Sequence, residues 1–302
     1  SKLQRGEIMS RTLSVLVTGA TGKQGGALAR LLLKKGHRVR AFTRRPESPA
    51  AQELKRLGAE LATGNLEDRA AIEHAAQTVD AIFAMSTPFE AGMEVETRQG
   101  ITVADAAKAA GVRHLVYTSV ASADRNTGIP HFDSKYKVER HLQALGIPHT
   151  ILGPVFFMEN LLSPWWLPGL QEGKFAMALP GLRSLQQIAL DDIAGFATLV
   201  LERHEPFLGK RVDIASDELT GSQVVDILSR ITGRRIEYVE LPLAQVRAWS
   251  EDFAIMFEWF DRVGYSVDIA ALRRDYREVG WHTFEDWAKA RDWSSLKQAA
   301  AS

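Results

Sequence analysis

Gly19, Gly22 and Gly25, inside the stretch Val17 to Gly26 (VTGATGKQGG), constrain this chain more than any other feature, because they fall where an apolar strand gives way to a helix. Upstream, Leu13 to Val17 is short and rich in β-branched and aliphatic side chains; downstream, Ala27 to Leu33 has helical composition. In that setting glycine lets the backbone turn tightly and approach a pyrophosphate. The helix N-terminus adds unpaired N–H groups and the positive end of a dipole. The spacing predicts a dinucleotide-phosphate loop.

The rhythm that follows fits such a loop. Apolar runs at 13–18, 38–43, 59–62, 81–85, 115–119 and 150–152 alternate with helical patterns near 23–35, 49–57, 67–76, 94–110 and 134–145. Several of the helices close on glycine, at Gly36, Gly58, Gly111 and Gly146. Strands alternating with helices predict an α/β fold of Rossmann type, a doubly wound parallel sheet. Ligands of such sheets lie beyond the carboxyl ends of the strands, so Gly19, Thr43, Gly64, Ser86, Ser119 and Gly153 should mark one rim. After Pro154 the alternation is less regular, and Pro164, Trp165, Trp166, Pro168 and Pro180 interrupt long elements. The expected organisation is a Rossmann core over 10–155 and a smaller C-terminal α/β substrate-side lobe over 156–302. The two should interleave, with 190–203 packing back on the sheet. Asp191 and Asp192 stand at the start of that helix and read as N-caps.

Composition excludes several classes. Lysine plus arginine equals aspartate plus glutamate, 37 of each, so no net charge steers the chain to nucleic acid or an anionic membrane. There are no cysteines, which removes disulfides, thiolate metal sites and a cysteine nucleophile, and no metal site is expected. No apolar run reaches membrane-spanning length, and the polar stretch ahead of Met9 lacks the apolar core of a signal peptide. A cytoplasmic protein is expected.

The end of the second strand reads Phe42, Thr43, Arg44, Arg45, Pro46. NAD-specific folds place an acid there to accept from the ribose hydroxyls. Two guanidiniums suit a 2′-phosphate instead, so NADP(H) is the expected cofactor. The alternative is that both arginines are solvated surface charge.

Together TGATGKQGG, FTRRP, GNLED, HFDSK and FFMENLLS resemble the NmrA-like family of atypical short-chain dehydrogenases/reductases, and within it the HSCARG-like NADP(H)-binding proteins. The resemblance implies that Gly19, Thr21, Gly22, Lys23, Gln24 and Gly25 cradle the pyrophosphate and that Arg44 or Arg45 holds the 2′-phosphate. It further implies Asn65 and Leu66 at the adenine, Ser86 and Thr87 at the middle of the cofactor, and Phe157, Glu159 and Asn160 beside the nicotinamide. From the residues alone, FFMENLLS is a strand end feeding a helix with Glu159 and Asn160 reading as buried; the alternative is ordinary core packing of Phe156 and Phe157.

Short-chain dehydrogenases carry a tyrosine four residues before a lysine, because residues four apart share one helix face. Here Lys135 occupies the lysine position, and His131 stands where the tyrosine should be. Tyr136 follows the lysine and points elsewhere. The assisting serine is also displaced: alignment places Val120 there, with Ser119 one residue short and Ser122 two beyond.

Three readings of the Lys135 and His131 pair stay open. In one, Lys135 only clamps ribose and the chain is a non-catalytic redox sensor. In the second the chain is an NADPH-dependent reductase of a small carbonyl, imine or quinone, with His131 or water supplying the proton, a role suited to an imidazole near neutral pH. In the third both residues are surface charge. The apolar and aromatic stretch 160–179 favours the reductase. Its partner is then a small-molecule substrate; a sensor needs a regulatory protein partner, and a homo-oligomer is compatible with either. Trp165 and Trp166 would wall the pocket or pack a corner. The helix Glu251 to Arg262 offers core surface or a protein contact, and Arg273, Arg274 and Arg277 read as a solvated face.

Overall fold

Eleven elements alternate without interruption through the first half: β1 (Ser14–Val17), α1 (Lys23–Lys34), β2 (Arg38–Thr43), α2 (Pro49–Arg56), β3 (Glu60–Thr63), α3 (Arg69–Ala76), β4 (Ala81–Ala84), α4 (Met93–Ala110), β5 (His114–Thr118), α5 (Pro130–Leu145) and β6 (His149–Pro154). The computed structural model describes residues 11–86 and 91–298. Thr87 and the polar stretch ahead of Met9 lie outside the described residues. The remaining elements are β7 (Phe156–Phe157), α6 (Leu167–Gln171), β8 (Lys174–Met177), β9 (Ser184–Ile188), α7 (Leu190–Glu202), β10 (Arg211–Ile214), β11 (Asp217–Thr220), α8 (Gly221–Thr232), β12 (Glu237–Glu240), α9 (Leu243–Trp249), α10 (Glu251–Arg262), α11 (Ile269–Asp275), α12 (Phe284–Lys289) and α13 (Ser294–Gln298).

The main sheet is seven-stranded and parallel throughout, in the order β10-β6-β5-β4-β1-β2-β3. This is the doubly wound fold that the alternation predicts. The strand order reverses between β1 and β4, which opens the crevice where such sheets bind ligands. The seventh strand was not expected. In β10 the apolar positions are interrupted by Arg211 and Asp213, whose charges are used in a buried network rather than exposed to water. Two small sheets, β11-β9-β7 and β12-β8, lie in the C-terminal half.

The sheet is covered on both faces. One core joins Val15 and Val17 to Leu28 and Leu32 of α1 and to Phe196 and Val200 of α7, and the other joins Leu16 and Ile82 to α3, α4 and α5. A third gathers side chains of the C-terminal half around Phe260, Phe284 and Trp287. Each fully buried Leu or Phe contributes about 1.5–3 kcal/mol over an exposed one. Gly111 and Gly146 end α4 and α5 with φ of 66° and 68°, a left-handed conformation that side-chain-bearing residues rarely adopt.

Three local expectations are corrected. Helix α5 begins at Pro130, four residues before the expected Ser134, because proline at the first helical position supplies a preset φ and loses no hydrogen bond. Asp191 and Asp192 do not cap α7, whose N-cap is Ala189. Asp192 is instead fully buried and accepts from Ser216 Oγ at 2.5 Å and from His282 N and Nδ1 at 2.8 and 2.6 Å. Arg273 is no solvated charge either: its guanidinium donates to the carbonyl of Ser216 at 2.7 Å.

Candidate active site

Between β1 and α1 the chain folds back on itself at Gly19, where φ is +62°. Gly22 N donates to Gly19 O at 3.0 Å, and Gly22 becomes the N-cap of α1 with no side chain satisfying its first turn. A Cβ on Gly25 would sit 2.3 Å from Gly19 O, so the helix meets the loop more closely than any other residue permits. A Cβ on Gly19 would sit 2.9 Å from Cγ of Met85, at the end of the neighbouring β4. Thr18 Oγ1 fastens the two strand ends, accepting from Met85 N at 3.0 Å. Thr21, Gly22 and Lys23 are exposed at the loop tip, and Gln24 is buried with its Oε1 unpartnered. Uncapped helix N–H groups, a loop closed to side chains and an unsatisfied buried acceptor fit a dinucleotide pyrophosphate.

At the end of β2, Thr43 Oγ1 accepts from Arg45 N at 3.0 Å, and both Arg44 and Arg45 are exposed. No acid stands at this strand end. Asn65 and Leu66 lie next along the rim, after Gly64 N bonds Thr43 O at 3.1 Å. The Asn65 carboxamide accepts from Glu67 N at 3.0 Å, which shapes a turn ahead of α3, and Leu66 is half-buried.

Lys135 reaches the crevice from α5. Its Nζ lies 2.6 Å from Oε1 of Glu96 and 3.4 Å from the carbonyl of Ser86. Glu96 is completely buried, its Oε2 has no partner, and burial pushes its carboxyl upward against the pull of Lys135. The Ser86 hydroxyl is also buried without a partner. Tyr117, wholly buried on β5, is pushed far up by burial and stays protonated. One turn before Lys135, His131 Nδ1 lies 2.6 Å from Asp252 Oδ2 of α10. Nothing in the sequence pattern singles out Asp252; it is one acid on an amphipathic helix more than a hundred residues away.

The remaining residues singled out in the sequence make contacts of their own. Ser119 donates to Glu139 Oε2 at 2.6 Å, and Glu139 also binds Arg211 Nε at 2.7 Å, so this serine belongs to the network joining β5, α5 and β10. Tyr136 packs against the C-terminal core, away from Lys135. Glu159 receives Leu190 N at 3.1 Å on both oxygens and Trp287 Nε1 at 2.9 Å. It caps α7, and burial raises its carboxyl. Phe157 packs on the core beneath the sheet, and Asn160 is half-buried beside it in the chain. Trp166 is anchored by Nε1 to Ala176 O at 2.9 Å, whereas Trp165 projects outward and stacks on Trp249 at 5.8 Å and 14°. Phe253 lies edge-on to both tryptophans and 6.0 Å from the His131 ring, extending the aromatic wall to the histidine. Among the described residues no cluster of His, Cys, Asp or Glu could hold a metal, and no helix is long and apolar enough to cross a membrane.

Comparison with known proteins places this geometry in a family. A Streptomyces griseus (4-alkanoyl-5-oxo-2,5-dihydrofuran-3-yl)methyl phosphate reductase is 33% identical over 238 residues, covering 77% of this chain and 79% of its own. The structure of an Escherichia coli NADPH-dependent quinone oxidoreductase complexed with NADPH superposes with a TM-score of 0.77 at 25% identity, over 91% of this chain and 98% of that one. NmrA, a negative transcriptional regulator solved with NADP, shares the fold with a TM-score of 0.76 at 22% identity, over 96% and 98%. The profile of the NmrA-like family matches residues 11–288, and the chain belongs to that family.

Proposed function

We propose that the chain is an NADPH-dependent reductase of a small carbonyl, imine or quinone compound. The cofactor is NADP(H), held by the glycine loop at its pyrophosphate and by Arg44 and Arg45 at its 2′-phosphate. Bound there, it supplies hydride. The observation that carries the reading is the polar cluster at the strand-order reversal, where Lys135, Glu96 and Ser86 meet, with His131 and Asp252 one helical turn away. A ribose clamp alone needs one lysine. This site buries a second ionisable pair and lays an aromatic wall of Trp165, Trp249 and Phe253 beside it. Lys135 would orient the ribose, and His131 would hold the proton that completes reduction. The wall would give the acceptor an aromatic face to align against.

Reductive chemistry of this kind has support from relatives that are reductases, a phosphate-bearing dihydrofuranone reductase and a quinone oxidoreductase among them. The other reading is a non-catalytic NADPH/NADP sensor that acts through a protein partner. It is favoured by the exposure of Trp165 and Trp249, 69% and 52%, since a stacked pair in solvent also suits a protein contact. Acceptor-dependent loss of NADPH absorbance separates the two. A reductase loses it with some member of a carbonyl, imine and quinone panel, and Lys135→Ala abolishes the loss. A sensor binds the cofactor and consumes none.

A further inference from the structure

We propose that Asp252 is a positioning residue, fixing the His131 imidazole by its Nδ1 as the proton donor of the lysine-bearing site; this rests on the reductase reading above. The second residue of α10, Asp252 meets the second residue of α5. One carboxylate oxygen takes the ring Nδ1–H at 2.6 Å and the other accepts from the backbone N–H of His131 at 3.2 Å. The same group therefore caps the first turn of α5, which has no side-chain cap of its own at Ile129. Phe132 and Phe253 hold the ring edge-on at 4.9 and 6.0 Å, so its plane is set as well as its tautomer. The imidazole side chain is 9% exposed and that of Asp252 20%.

With Nδ1 committed to Asp252, any proton the ring delivers comes from Nε2, and the carboxylate compensates the positive ring before delivery. Among the described residues, Glu96 on α4 and Lys135 on α5 are charged groups near the dyad. The Glu96 carboxyl feels Lys135, His131 and Asp252 together. Lys135 thus balances Glu96, and Asp252 balances His131. In the reaction the acceptor carbon gains hydride as NADPH becomes NADP⁺. The acceptor oxygen or nitrogen takes a proton as the Nε2–H bond breaks, and the neutral imidazole regains a proton from water.

The test is a double-mutant cycle of Asp252→Asn and His131→Gln on the full chain, with turnover, NADPH affinity and the His131 tautomer read separately. The tautomer is read from long-range ¹⁵N–¹H imidazole correlations, which need no turnover. Asp252→Asn should lower kcat by about tenfold or more and leave NADPH affinity within about twofold. It should also convert a pure Nδ1–H ring into a mixture, and the double variant should be no slower than His131→Gln alone. Asp252→Glu, which restores the charge, should recover part of kcat. If Asp252→Asn loses only thermal stability while kcat and tautomer stay at wild type, or if the two losses simply add, the residue is a tether and the proposal is overturned. Should Asp252→Asn fail to fold, the Asp252→Glu and wild-type tautomers decide in its place. If the wild type binds NADPH but reduces nothing in the panel, the reductase reading itself falls, and the donor role with it.

Discussion

At Gly25 one methyl group decides whether the β1–α1 loop can keep its shape. A Cβ there would approach the Gly19 carbonyl to 2.3 Å, and the obstacle is backbone, which cannot swing aside. Gly25→Ala should therefore cost at least about tenfold in NADPH affinity by fluorescence titration, with the circular dichroism spectrum unchanged. Arg44→Ala combined with Arg45→Ala should weaken NADPH roughly ten- to hundredfold and NADH little, since a charge-assisted hydrogen bond is worth about 1.5–3 kcal/mol. Equal losses for both cofactors would misplace the 2′-phosphate. At the opposite end of the strands, His114 tests a different kind of residue. It is 3% exposed, burial with the neighbouring His204 and His149 lowers its pKa to about 4, and its Nδ1 has no partner. Above pH 6.5 the ring is neutral whether folded or not, and the chain keeps its full stability. As pH falls toward 4 the unfolded chain takes up a proton that the folded one refuses. Stability should drop by about 3 kcal/mol over that window. Urea midpoints from pH 7 to 4 should show this slope, and His114→Gln should flatten it.

Among the elements, α7 depends on a residue far from it in sequence. Glu159 receives Leu190 N and Trp287 Nε1, so Glu159→Ala strands two buried donors and should cost about 2–4 kcal/mol. Chemical denaturation would measure it. An unchanged midpoint would mean that water replaces the carboxylate. The same contact explains what the chain reveals and conceals. The β1–α1 loop and the alternation of β1 to β6 are legible because each element carries its own signal: glycines at a turn, an apolar run, a helix stop. Asp191 and Asp192 carry the local signature of an N-cap, but Asp192 turns inward to Ser216 and His282 because tertiary partners outbid the helix end. Strand β10 hides its apolar pattern behind Arg211 and Asp213, whose partners come from the loop after β5 and from α5. Likewise Lys135 and His131 are visible from a spacing of four. Glu96 and Asp252, their ion-pair partners, become visible only once α4 and α10 are packed against α5.

Over the whole molecule, the Rossmann core supplies the β1–α1 glycine loop and Lys135, while the C-terminal half supplies Asp252, Trp165, Trp249 and Phe253. Under the proposed reductase function, chemistry at this site needs both halves in register. NADPH should stabilise the entire chain: at a hundred times its Kd, mass action adds about 2.7 kcal/mol, a rise of a few degrees in Tm. The most direct measurement adds NADPH to the purified chain, follows saturation by fluorescence, and then offers quinones, imines and carbonyls while NADPH absorbance is recorded. A reductase predicts saturable binding followed by acceptor-dependent loss of absorbance, which Lys135→Ala removes. Saturable binding with constant absorbance across the whole panel would contradict it.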